Sequence, residues 1–230
     1  MQELLHDGLQ ITQTAVVAHP GAFQDLRAQF DETGCASLPG LLSPAILKHV
    51  LKLIETCRFE VTNETHKGRI FGTTFKMPST EPTVTTLHFI LNRLALFEMV
   101  ERVVGCPRLG NFTCRIHRTV ADTHQHIDWH DDWIQDRTVG LNINLSQQDY
   151  RGGQFQIRDP EGRVRSEIGR IAAGDAFLFR IGSGWQHRLT PVGSGERTVA
   201  VGWFRTQPDW NTLAIAQLRA KTLTIDLVGG

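Results

Sequence analysis

The sequence predicts an α+β chain that is mainly β: a double-stranded β-helix, or jelly roll, with N-terminal helices packed outside it. Two observations carry this expectation. Apolar residues recur at helical spacing through much of the chain up to Gly105, whereas short alternating or β-branched runs follow one another after Gly110. Turn signals separate those later runs, which is the punctuation of an antiparallel barrel. A length of 230 residues suits one domain. Residues 1–105 are expected to form a mostly helical scaffold and possible lid, 106–208 the jelly-roll core and 209–230 a C-terminal tail.

Each element has a local reason. Residues 1–19 are polar and aperiodic and read as a loose arm, and Phe23, Leu26 and Phe30 mark a helix that Gly34 stops. CASLPG reads as a short strand, and Ser43-Pro44 opens a second helix with Ile46, Val50, Leu53 and Ile54 on one face. Residues 58–85 are turn-rich and carry no clear period, and the next stretch, LHFILNRLALFEMVERVVG, predicts one amphipathic helix ending at Gly105. The strands expected beyond are NFTCRIHRTV, TVGLNINLS, GQFQIRD, GRIAAGDAFLFRI, WQHRLTPV and RTVAVGWF. Gly152-Gly153 and Gly174-Asp175 are read as turns, with nothing catalytic expected of them.

Composition removes several function classes. Lys and Arg number 24 against 24 Asp and Glu, and 40% of residues are apolar, so the chain is neither disordered nor a basic nucleic-acid binder. No apolar run approaches the ~20 residues that cross a bilayer, and MQELLHDGLQITQ lacks the features of a signal peptide. The four cysteines (Cys35, Cys57, Cys106, Cys114) show no CxxC spacing and are expected to be free thiols in the cytoplasm.

Chemistry concentrates in the histidines. Four of the ten (His117, His124, His126, His130) fall within 14 residues, around the string HIDWHDD at 126–132. In an extended strand His126, Asp128, His130 and Asp132 share one face, so either H-x-D triplet sets an imidazole beside a carboxylate. His187 is the last histidine in the chain and is the natural third ligand. Two histidines and a carboxylate form the facial triad of non-haem Fe(II) oxygenases, which leaves coordination positions open. A closed zinc site would want more Cys and His than this half of the chain supplies. Arg197 lies 197 − 187 = 10 residues beyond His187, across the turn Gly193-Ser-Gly-Glu196. A guanidinium returned by that hairpin toward the metal can fork onto a carboxylate, which describes a 2-oxoglutarate site.

These pieces, WHDD (129–132), RTVGLNINLS (137–146), YRGGQF (150–155), GDAFLF (174–179), His187 and Arg197, occur in order from about Gly21 to Pro208. Together they resemble the Fe(II)/2-oxoglutarate-dependent dioxygenase superfamily, on its prolyl-hydroxylase and phytanoyl-hydroxylase-like side. The resemblance implies Fe(II) and 2-oxoglutarate as cofactors, O2 as co-substrate, and hydroxylation of a C–H bond in a small-molecule or peptidyl substrate. Applied to this sequence it implies metal ligands His130, Asp132 and His187, since a Trp just before the ligand His is common in the superfamily. The rival pair is His126 and Asp128: prolyl hydroxylases often carry a tyrosine nine residues before the ligand His, and His117 stands nine before His126. In that role His117 would hydrogen-bond 2-oxoglutarate, and Arg197 would hold its distal carboxylate.

The remaining polar residues have plainer readings. His6, His19, His49, His66 and His88 read as structural and His124 as a turn residue; Trp129, Trp133, Trp185 and Trp203 read as core or pocket wall, and Arg137 and Arg188 as surface or rim residues, either of which could face a substrate. Lys67, Arg69 and Lys76 read as a solvated loop, with an anionic substrate group as the rival reading. Two other functions compete with the oxygenase: a non-catalytic jelly roll binding a small molecule, and a cupin-like metalloenzyme without 2-oxoglutarate. Substrate identity and oligomeric state stay open.

Overall fold

A computed structural model of the chain describes residues 8–208 apart from 20, 67, 122–124 and 135. His6, Lys67, His124 and the 209–230 tail lie outside the described residues. The described part of the expected arm is ordered differently from the expectation: β1 (Leu9–Ile11) pairs antiparallel with β2 (Val16–Ala18), and Leu9 and Ile11 are buried. Strands of three residues are too short for a period to show, and long-range burial decides their state.

The helix α1 (Ala22–Thr33) ends at Gly34, whose φ of 76° places it in the left-handed region while its N–H bonds Phe30 O. The strand β3 (Cys35–Leu38) follows, then α2 (Pro44–Thr56), which buries Ile46, Val50 and Ile54. Pro44 starts that helix as expected, but the Ser43 side chain makes no capping bond. The segment without a clear period folds as the hairpin β4 (Glu60–His66) and β5 (Arg69–Lys76). The single long helix expected next is two, α3 (Pro82–Leu91) and α4 (Leu94–Val104). Asn92 makes the break: its Nδ2 donates to His88 O (2.7 Å) and Phe112 O (2.8 Å), and its Oδ1 accepts the Phe112 N–H (2.8 Å). A short amide that bonds backbone groups competes with continued helix.

Beyond lie β6 (Asn111–Val120), β7 (His126–His130), β8 (Arg137–Asn144), β9 (Arg151–Gly152), β10 (Phe155–Arg158) and β11 (Val164–Ile168). The last four strands are β12 (Ala176–Arg180), β13 (Gln186–Leu189), β14 (Val192–Ser194) and β15 (Glu196–Arg205). Among the described residues eleven strands join one antiparallel sheet in the order β11-β10-β13-β7-β5-β6-β15-β8-β12-β3, with β4 on β5. The part of the chain expected to be mostly helical therefore lends β3, β4 and β5 to that sheet. The sheet rolls up: Phe155 on β10 and Phe177 on β12 stand far apart in strand order, yet their rings are 4.8 Å apart.

Rolling gives the sheet two faces with different tasks. Along β15, Ala200 and Phe204 point to the helices, where Phe204 meets Phe97 of α4 edge-on at 5.9 Å. The alternate residues Arg197, Val199, Val201 and Trp203 line an interior cavity. Phe155, Ile157, Phe177 and Phe179 close the interior beside it. Gly140 on β8 leaves the room that the Phe179 ring occupies, since a Cβ there would collide with it. No helix among the described residues is long and apolar enough to cross a membrane.

Candidate metal centre

His130, Asp132 and His187 meet beside the interior cavity, each offering one ligand atom, with all three atoms within 4.8 Å of one another. Strand pairing does this. His130 ends β7 and is the register partner of His187 on β13, their rings 4.2 Å apart, and Asp132 follows two residues on. His187 Nε2 is 3.3 Å from Asp132 Oδ2, and His130 Nε2 is 4.0 Å from Asp132 Oδ1. His130 Nδ1 lies 2.8 Å from the Asp128 carbonyl, which can only accept, so Nδ1 carries the proton and Nε2 keeps its lone pair for a metal. Phe71 stacks on the His130 ring at 4.1 Å, and Phe155 stacks on His187 at 5.4 Å. Two imidazoles and one carboxylate at this spacing, open on the cavity side, suit Fe(II).

Asp132 is buried, and burial alone would raise its pKa. The His187 hydrogen bond, electrostatic attraction to His187 and His130 and the Trp203 Nε1–H prevail and hold the carboxyl well below the ordinary carboxylate range. Trp203 donates to Oδ2 at 2.7 Å, Arg137 Nη1 lies 3.5 Å from Oδ1, and the Arg137 guanidinium sits 3.9 Å over the Trp203 ring. Such outer partners fix a ligand's orientation. Replacing Trp203 by Phe is expected to weaken Fe(II) affinity ~10- to 100-fold, which a competition titration against a chelating dye would read. Trp203 is thus more than the expected wall, and Arg137 and Arg188 both line the cavity, the placement in which either could face a substrate.

The rival pair is elsewhere. His126 and Asp128 face each other at 3.9 Å with side chains 47% and 70% exposed, away from His187. Trp133, expected as core or wall, is 52% exposed, and Trp129 lies under the guanidiniums of Arg158 and Arg188.

Arg197 lines the same cavity, paired in register with Thr119 and buried. Burial pulls its pKa down, opposed by Tyr150, the chain's single tyrosine, which accepts a bond from the guanidinium. Among the described residues no carboxylate lies within ion-pair distance of it. A buried cation left without a counter-ion is costly, and a dicarboxylate ligand supplies one. Gly153 packs under Arg197: at φ 62°, a Cβ on it would come within 2.9 Å of Arg197 Cδ. The glycine pair expected to be only a turn therefore also makes room for this side chain.

His117 lines the cavity as well. Its Nδ1 is 3.1 Å from Thr74 Oγ1, while its Nε2 is buried without a partner. Burial first, then Arg115, Lys76 and Arg197, bring its pKa from 6.5 to about 3, so the ring is neutral at neutral pH. An unfolded chain would take up this proton first, so stability falls as pH drops below 6.5. By about pH 4 this group alone is expected to cost ~3 kcal/mol. Melting temperatures against pH for the parent and His117→Asn would show it, the variant having the shallower acid slope.

The cavity, about 180 Å³, also exposes residues the sequence reading passed over: Glu64, Phe71 and Thr74 from the β4–β5 hairpin and Asn142 from β8. Of the three cations singled out in that region, Arg69 lines an outer groove with Trp129 and Arg158. Lys76 lies beside Pro78 and Cys114 on another face.

Residues 114–205 match the family model described as the 2OG-Fe(II) oxygenase superfamily. A PKHD-type hydroxylase from Maricaulis maris is 32% identical over 118 residues, which are 45% of this chain and 51% of that protein. The chain thus spans about half the length of the curated relative it matches. Among solved structures, an oxidoreductase of the 2OG-Fe(II) oxygenase family from Burkholderia pseudomallei shares 18% identity at a TM-score of 0.63, covering 84% of this chain and 95% of that one. A prolyl-4-hydroxylase from Pseudomonas putida follows with 16% identity and a TM-score of 0.58, over 80% and 99%. The fold of those structures is the jelly roll found here. The segment that matches that superfamily's model carries the His-Asp-His cluster and Arg197.

Proposed function

We propose that the chain is an Fe(II)- and 2-oxoglutarate-dependent hydroxylase, with metal ligands His130, Asp132 and His187. The observation that carries this is the shared cavity: the ligand cluster and a buried Arg197, without a counter-ion among the described residues, line one interior space. Iron with 2-oxoglutarate, when bound, supplies oxidation of R–H by O2 to R–OH, the 2-oxoglutarate leaving as succinate and CO2. The protein's part is positioning and exclusion of water. Arg197 forks onto the distal carboxylate of 2-oxoglutarate, and His117 offers its free Nε2 as a polar contact to the same molecule. Trp203 and Arg137 hold Asp132 in orientation, and Phe155, Leu189, Val199 and Val201 form the apolar wall of the cavity.

The substrate is a small molecule or a peptidyl side chain. Prolyl hydroxylases among the structural neighbours, one of them solved with a hypoxia inducible factor peptide from Trichoplax adhaerens, support the peptidyl option. We read the described chain as one oxygenase domain with the β4–β5 hairpin covering the cavity mouth. Four free cysteines suit a reducing cytoplasm. Purified protein with Fe(II), 2-oxoglutarate and O2 is expected to release succinate even before a substrate is known. Absence of Fe(II)-dependent succinate under these conditions, together with no binding of 2-oxoglutarate, would return the chain to the binding-module reading.

A further inference from the structure

We propose that the cavity selects a substrate bearing a protonated amine, and that Glu64 on β4 receives it. The proposal rests on the oxygenase reading only for what later happens to that substrate. Glu64 is buried, 6% exposed, and lines the cavity that holds the metal ligands. Its two carboxylate oxygens differ. Oε2 lies 3.3 Å from Arg115 Nη1, whereas Oε1 is buried with no hydrogen-bond partner. The nearest imidazole nitrogen, His117 Nδ1, is 3.8 Å from Oε1 and is engaged by Thr74. A carboxylate is an acceptor only, and leaving one of its oxygens buried and unmet costs desolvation that is not recovered. A ligand that brings N–H donors and a positive charge recovers it.

The cavity's own cations do not reach Oε1. Arg115 holds Oε2 and lies over Trp203, Arg137 reaches Asp132, and Arg188 Nε donates to Gln156. Arg197 bonds Tyr150 and is left for a dicarboxylate. Asn142 Oδ1 is a second buried acceptor in the same cavity without a partner. Phe71, on the strand paired with β4, shares the cavity with Glu64 and stacks on His130, so an apolar wall runs toward the metal ligands from the strand pair that carries the acid. A carbon skeleton anchored by its ammonium on Glu64 lies along that wall.

Matched probes test this without turnover. The full chain loaded with Mn(II) and 2-oxoglutarate under argon is titrated calorimetrically with butylamine against 1-butanol, cyclohexylamine against cyclohexanol, and benzylamine against benzyl alcohol. Each amine that fits is expected to bind about tenfold tighter than its alcohol, the advantage of a charge-assisted bond over a neutral one. The preference should fall to less than about twofold in Glu64→Gln, a change that keeps a bond to Arg115 available. Equal affinities, or no binding by either member in all three pairs, overturn the proposal in the wild-type protein alone. So does an amine preference that survives in folded Glu64→Gln. Succinate formation by the wild type is read separately: its absence alongside an amine preference removes the oxygenase reading and leaves this one, and the converse removes only this one.

Discussion

Asp132→Asn is expected to abolish Fe(II)-dependent succinate formation, by ~10³-fold or more, equivalent to at least ~4 kcal/mol of lost stabilisation. The amide is nearly isosteric and can still meet the Trp203 Nε1–H on its oxygen, so the cavity is expected to keep its shape. What it loses is the anionic ligand between two imidazoles. In the parent protein that carboxyl is held ionised well below the ordinary range, despite burial, by the His187 bond, attraction to the two histidines and Trp203. Asp132 is therefore already deprotonated when a metal arrives. The control is Asp128→Asn. Its side chain is 70% exposed and contributes only a backbone carbonyl to His130, so metal affinity and succinate release should stay within about twofold of the parent. If the pair lost activity in the opposite order, the ligands would be His126 and Asp128. Metal content by mass spectrometry beside succinate yield separates loss of metal from loss of a bound metal's competence.

The triad was legible because it depends on local geometry. An H-x-D triplet in an extended stretch puts both side chains on one face, and His130 at the end of β7 meets Asp132 two residues beyond it. The rolled sheet was legible for the same reason, through alternation in β15 and β6 and the glycine turns between strands. The β4–β5 hairpin was not. Its stretch GRIFGTTFK carries a β-prone run, but the neighbouring Lys, Arg and Thr obscure which face is buried, and only pairing of β5 with β6 and β7 decides it. Counting charges there drew attention to three cations, while the group that reaches the cavity is the acid Glu64. The break at Asn92 was hidden similarly, since its partner Phe112 lies 20 residues away. Parity tells which residues share a face; it does not tell which face closes on a cavity.

Arg197→Met is expected to raise the KM for 2-oxoglutarate ~100-fold or more while the folded apo chain loses no stability. The two halves belong together. A bidentate guanidinium–dicarboxylate contact in a site shielded from water contributes ~3 kcal/mol or more, and its loss falls on co-substrate binding. A structural ion pair would behave oppositely, because removing one buried partner strands the other at a cost of ~3–5 kcal/mol. Arg197 has no such partner among the described residues, only Tyr150, so the apo protein carries an uncompensated buried cation that methionine removes. Its melting temperature should stay level or rise. The parent, by contrast, should gain stability as 2-oxoglutarate and metal are added, in proportion to the logarithm of concentration over Kd, and the variant should show almost none of that gain. Arg197→Lys keeps the charge without the fork and should fall between the two. Gly153→Ala tests the same contact from behind. Its φ of 62° and the 2.9 Å approach of a Cβ to Arg197 Cδ leave no room for the methyl, so the guanidinium must shift and 2-oxoglutarate affinity should drop with every ligand atom intact. A destabilised apo Arg197→Met protein with unchanged KM would identify Arg197 as a scaffold residue and remove the strongest support for 2-oxoglutarate in this cavity.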